Sequence, residues 1–122
     1  MDEDNTKKML QSSVKRIALE IEEGIEITKD NIEEWNDDEQ YELGDMVGGF
    51  DYIKDALDIT YIINSDKTYR GAEILVGFGG PNIWIDTRSG TVEGSWWGTK
   101  ASYPYFEDNI GIDECLEQLH QY

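Results

Sequence analysis

Apart from its acids, this chain carries few residues able to perform chemistry. One histidine, His120, and one cysteine, Cys115, are all it offers as nitrogen or sulfur ligands, and a structural zinc site takes four such donors. Nucleophilic catalysis has little more to draw on. Cys115 falls on the apolar stripe Ile112, Leu116 and Leu119, where a buried, inert thiol is expected, and His120 lies close to the C-terminus, where chains are often loosely held. The stretch "GFGGPNIW" is glycine-rich, but a phosphate-cradling loop continues into Lys-Ser/Thr or a helix start, whereas here a strand follows. No Asp-x-Asx-x-Asx-Gly register closed by a glutamate forms a calcium loop. Twenty-seven carboxylates make any chosen acid/base pair uninformative. The chain is therefore expected to be no enzyme and to hold neither metal nor cofactor.

The acids themselves are the remaining signal. The formal net charge is −17 with a pI near 4.1, and it is unevenly spread. Residues 20–58 hold fifteen acids against Lys29 and Lys54, leaving −13 in that block. A charge run of this kind is usually solvated and disordered. Here, in "IEEWNDDEQYELGDMVGGFDY", the residues Trp35, Tyr41, Leu43, Met46, Val47, Phe50 and Tyr52 are threaded through it. Of these, Trp35, Tyr41, Leu43, Val47 and Phe50 can anchor the acids to a core and hold the charges at fixed spacing. If the block were one helix, it would extend about 58 Å at 1.5 Å per residue, roughly one negative charge every 4 Å, against about 3.4 Å along each strand of duplex DNA. The densest group is Glu33, Glu34, Asp37, Asp38, Glu39, Glu42 and Asp45, and these are the expected partner-binding residues. So acidic a chain is steered toward cationic partners and away from direct contact with nucleic acid or anionic membrane.

Several elements must position these acids. Leu10, Val14, Ile17, Ala18 and Ile21 recur at helical spacing and predict a long N-terminal helix stopped at Gly24. Within the acidic block, the pattern predicts a short extended piece at 25–28, a helix from about Asp30 and a second helical piece over 44–57. That piece is weakened by Gly48 and Gly49, which imply either a break or close packing. The runs "DITYIIN", "YRGAEILVGF", "NIWID" and "TVEGSWW" are rich in β-branched and aromatic residues and are separated by turn chemistry. A short helix, "IDECLEQLHQY", ends the chain. The expectation is a single α+β domain over 1–122, with N-terminal helices and a short C-terminal helix packed on a four-stranded antiparallel meander.

The third hairpin carries a second candidate surface. If its turn pairs Ile85 with Val92, then Ile83, Ile85, Val92 and Trp96 share one face while Trp84, Asp86, Glu93 and Trp97 share the other, and one of the two packs on the helices. A glycine bulge at Gly90 would shift that register by one. Trp84 and Trp97 then become possible aromatic contacts for a protein or small ligand.

A short, strongly acidic α+β chain with an ordered acidic block over 20–58 resembles the anti-restriction and anti-CRISPR DNA mimics, by which phages and mobile elements inhibit bacterial defence. The resemblance implies a stoichiometric inhibitor of a basic nucleic-acid-binding protein, such as a nuclease or CRISPR effector. An immunity protein against a nuclease toxin is the near alternative, and a binding module using the tryptophan face is a further one. A lone cysteine asks for no oxidising compartment. "MDEDNTKKML" lacks a signal peptide's basic-then-apolar layout, and no apolar run reaches the length of a membrane span. The expected location is the cytoplasm of a bacterial host.

Overall fold

The computed structural model describes residues 3–36, 40–54, 56–77 and 81–120. The stripe Leu10, Val14, Ile17, Ala18 and Ile21 is buried along α1 (Glu3–Glu23). The helix ends where Gly24 turns left-handed at φ +78° and its N–H bonds the Glu20 carbonyl at 2.9 Å, a conformation that costs glycine little.

The sheet has five antiparallel strands in sequence order: β1 (Asp58–Ile63), β2 (Tyr69–Gly77), β3 (Asn82–Asp86), β4 (Thr91–Trp96) and β5 (Thr99–Pro104). The four expected strands are present, and β5 is a correction to the expected count. Its sequence, "TKASYP", alternates half-buried and exposed positions, but Lys, Ser and Pro give it little strand character. It is an edge strand ending in proline, a residue that edges tolerate because the missing N–H faces outward. The turn that leads into it, Trp97-Gly98, takes positive φ at both residues, +55° and +80°. Two-residue hairpins need that conformation and normally use Asn-Gly or Gly-Gly for it. A tryptophan in this place conceals the hairpin from a reader of the sequence.

Ile85 pairs with Val92, and the register between β3 and β4 runs unbroken from Asn82↔Ser95 to Asp86↔Thr91. Gly90, left-handed at φ +68° with its N–H on the Asp86 carbonyl, does not displace it. Ala72, Ile74, Ile83, Ile85 and Val92 therefore point to one face, where α1 and α4 (Ile112–His120) cover them. Helix α1 crosses β4 at Gly94, where an added Cβ would come within 3.1 Å of Val14 and 3.2 Å of Leu10. On α4, Ile112, Cys115 and Leu116 are buried, whereas Leu119 is 39% exposed and leaves the expected stripe. The observed class is α+β, with helices on one face of an antiparallel sheet.

The acidic block departs most from expectation. In place of a helix from Asp30 there is one turn, α2 (Ile32–Trp35), and in place of 44–57 there is α3 (Gly49–Ile53). Gly49 begins α3 and is also a point of close packing: a Cβ there would lie 2.5 Å from Cys115 Sγ and 2.7 Å from the Gly111 carbonyl oxygen. Both readings of the glycine pair hold at this residue. The extended piece is present as a single antiparallel bridge, Glu26↔Met46.

Candidate functional site

The described residues between 24 and 57 form a lobe that doubles back on itself. Ile27 N–H bonds Asp45 O at 2.7 Å, Gly44 N–H bonds Ile27 O at 2.9 Å, and Val47 N–H bonds Ile25 O at 2.9 Å. Ile27 and Val47 are buried beneath this closure. On the outgoing limb, Asn31 folds the chain, accepting from Thr28 N–H at 2.8 Å and donating to Glu26 O at 2.9 Å. On the return, Asn36 clamps Tyr41 through both the N–H and the carbonyl of that residue. The described residues of the block therefore form no linear helical track of charge. The described acids are gathered on a chain that folds back, because side-chain amides and the Glu26↔Met46 bridge satisfy backbone groups that a helix would otherwise use.

Aromatic hydroxyls tie the lobe down. Tyr41 Oη donates to Asp51 Oδ2 and accepts from Gly48 N–H at 2.9 Å. Burial, followed by the bond to Asp51, pushes the Tyr41 phenol above its ordinary range. Trp35 stacks on Tyr52 with ring centroids 6.2 Å apart, and Tyr52 Oη donates to Glu20 Oε2 at 3.0 Å. The other oxygen of Glu20 accepts from Arg16 at 3.0 Å. Burial and then the Glu20 charge hold Tyr52 protonated far above the usual tyrosine range. The anchors are thus Ile27, Trp35, Tyr41, Val47, Tyr52 and Ile53. Leu43 and Phe50 were expected among them, yet they are 55% and 47% exposed, and Met46 is 50% exposed as well.

Glu33 and Glu34 stand exposed on α2, and Glu42 and Asp45 are exposed on the return limb. Asp45 has a second role, since its carboxylate accepts Glu42 N–H at 2.8 Å and holds the turn. Asp37, Asp38 and Glu39, which come between these limbs in sequence, lie outside the described residues. Glu33, Glu34, Glu42 and Asp45 make no ion pair among the described residues, where Arg16 with Glu20 is the pair formed.

Comparison with family profiles, with curated proteins and with solved structures finds no match to this chain. The functional reading therefore rests on the chain's own residues. Among those described, no three His, Cys, Asp or Glu side chains are grouped to hold a metal, and no helix is long and apolar enough to cross a membrane. Cys115 is buried, and burial first, then the neighbouring Glu114, raises its thiol pKa.

The two tryptophans expected as contacts, Trp84 and Trp97, stand in different places. Trp84 is half-buried on the sheet face away from the helices, in register between Leu75 and Glu93. Trp97 sits in the β4–β5 turn, not on that strand face, and is 83% exposed. The sequence also gave no sign of a cleft of about 490 Å³ between α1 and the lobe, walled by Arg16, Glu20, Glu34, Trp35 and Tyr52. Trp35 was legible only as an anchor and Tyr52 only as an aromatic within the acidic run, since nothing in their spacing shows that they stack in its wall.

Proposed function

We propose that this protein is a stoichiometric inhibitor of a basic nucleic-acid-binding protein, such as a bacterial defence nuclease or CRISPR effector, and that the acidic lobe occupies its cationic groove. The supporting observation is the lobe's surface. Carboxylates that make no ion pair among the described residues share the lobe with exposed Leu43, Met46 and Phe50, and the lobe is held by buried residues and tyrosine hydroxyls. Charge alone steers encounter more than it holds a complex. Apolar side chains amid the acids supply the desolvated contacts that carry binding energy, and a lobe ordered in advance binds at lower entropic cost than a tail. An immunity protein against a nuclease toxin would use the same surface on a different partner. The reading is one of binding, not catalysis.

A second reading draws on Trp97. A bulky residue at φ +55° is strained, and strain of this kind collects at functional positions. Its ring, exposed at a hairpin tip, suits a protein contact, with Trp84 as a lesser one.

Affinity capture from a bacterial lysate at low and moderate salt, followed by competition with DNA or RNA, tests the first reading. It expects a captured basic protein that releases its nucleic acid as the inhibitor is added and that dissociates as salt rises. Capture that is insensitive to salt and leaves nucleic acid bound would favour the Trp97 surface.

A further inference from the structure

Resting on the acidic-lobe reading, we infer that the cleft between α1 and the lobe receives an arginine side chain of the basic partner. Its walls define the chemistry. Trp35 and Tyr52 contribute aromatic rings, and Ile17, Ile25 and Val76 line its apolar part. Both oxygens of Glu20 are already engaged, by Arg16 and by Tyr52, so Arg16 and Glu20 cancel. Glu34, exposed and without an ion pair among the described residues, is left as the uncompensated carboxylate of the cleft.

A cavity with aromatic rings, apolar lining and one unmatched negative charge suits a cation that tolerates desolvation. Guanidinium meets this description better than ammonium does. It is planar, stacks on aromatic rings, presents a donor fork to a carboxylate and is more weakly hydrated. A partner built to hold phosphates is rich in arginine for the same reasons, and buried arginines on aromatic surfaces are frequent anchors of interfaces. The cleft would then set register on the partner, while the surrounding acids set only the encounter.

The test uses the full chain with acetylated nona-arginine and nona-lysine peptides, read by calorimetry and by the indole N–H resonances of the four tryptophans. Nona-arginine is expected to bind several-fold tighter than nona-lysine and to shift the Trp35 indole selectively. Glu34→Gln, an isosteric change at an exposed position, should remove most of that preference while lysine-peptide affinity falls only slightly. Arg16→Gln, which frees Glu20, should increase the preference. Equal binding of the two peptides with an unmoved Trp35 resonance would overturn the arginine cleft and leave the acidic-lobe reading intact. A Trp35 shift with tetramethylammonium chloride but none with nona-arginine would assign the cleft to a small free cation instead, and also overturns the inference. If neither peptide binds at low salt, the acidic-lobe reading fails and the inference fails with it.

Discussion

Tyr41 and Asp51 meet hydroxyl to carboxylate across the acidic lobe, and the same hydroxyl takes the N–H of Gly48. One side chain thereby joins the return limb of the loop to the start of α3. Tyr41→Phe removes both bonds while keeping the ring. Because the groups left behind are partly open to water, the expected loss is about 1 kcal/mol in urea unfolding, with faster hydrogen exchange at the Gly48 amide. Unchanged exchange at Gly48 would show that the lobe is held by Ile27, Val47 and the Trp35 stack alone.

The protonation of the tyrosines sets a limit on alkaline stability. Tyr41, Tyr52, Tyr69 and Tyr105 all have raised pKa values, with burial the leading cause in each. The folded chain thus holds these protons more tightly than the unfolded chain does. Their contribution is complete below the ordinary tyrosine pKa of about 10 and is lost as pH climbs above it. Phenolate absorbance at 295 nm should appear later in the native protein than in urea, and the unfolding midpoint should fall in the same range. Coincident titration in native and denatured protein would contradict these burials.

Gly49 faces the Cys115 sulfur and the Gly111 carbonyl. Gly49→Ala should cost on the order of 1–3 kcal/mol by overpacking. Adding Cys115→Ala should restore only part of this, because the Gly111 contact is with backbone. Cys115 itself should react slowly with a thiol reagent in the native protein and rapidly after unfolding. Full recovery in the double variant would assign the clash to sulfur alone.

Trp97 occupies a left-handed position that asparagine or glycine would fill without strain. Trp97→Asn is expected to raise stability by roughly 1 kcal/mol, measured by thermal or urea unfolding. If Trp97 is also a contact, the same variant should bind its partner more weakly, so stability and binding would move in opposite directions. A loss of stability would mean that the ring packs usefully despite its exposure.

Much of this architecture was legible where one periodicity ran uninterrupted. The α1 stripe followed from spacing because it has a single buried face, while the Ile85–Val92 pairing was one of two registers that the hairpin left open. The fifth strand was not legible, since Trp97-Gly98 performs an Asn-Gly turn without its usual residues. In the acidic block, helical spacing misled. Asn31, Asn36 and Asp45 supply hydrogen bonds to backbone groups, so the chain could fold back, and that long-range closure at Glu26↔Met46 has no local signature. Leu43 and Phe50 looked like anchors by type, but the fold turns them outward and gives the core to Ile27 and Ile53.

Concentrated charge should also be visible in stability. With −13 in residues 20–58, repulsion is screened over about 10 Å at 0.1 M salt, so the thermal midpoint should rise as salt is added from low to moderate ionic strength. An invariant midpoint would show that the carboxylates are too dispersed to act together.

The most direct measurement of the central claim is displacement of nucleic acid from the captured basic protein by a variant with Asp37→Asn, Asp38→Asn, Glu39→Gln and Glu42→Gln, compared with the unaltered chain. Asp45 is left in place because its carboxylate holds the Glu42 N–H. Exposed ion pairs each contribute under about 1 kcal/mol, so single changes should be mild and the fourfold change should abolish displacement, with the circular dichroism spectrum unaltered. Neutralising the exposed acids Glu73, Glu93 and Glu117 should have little effect. Displacement by the fourfold variant with unchanged affinity and unchanged salt dependence would contradict the acidic-lobe account.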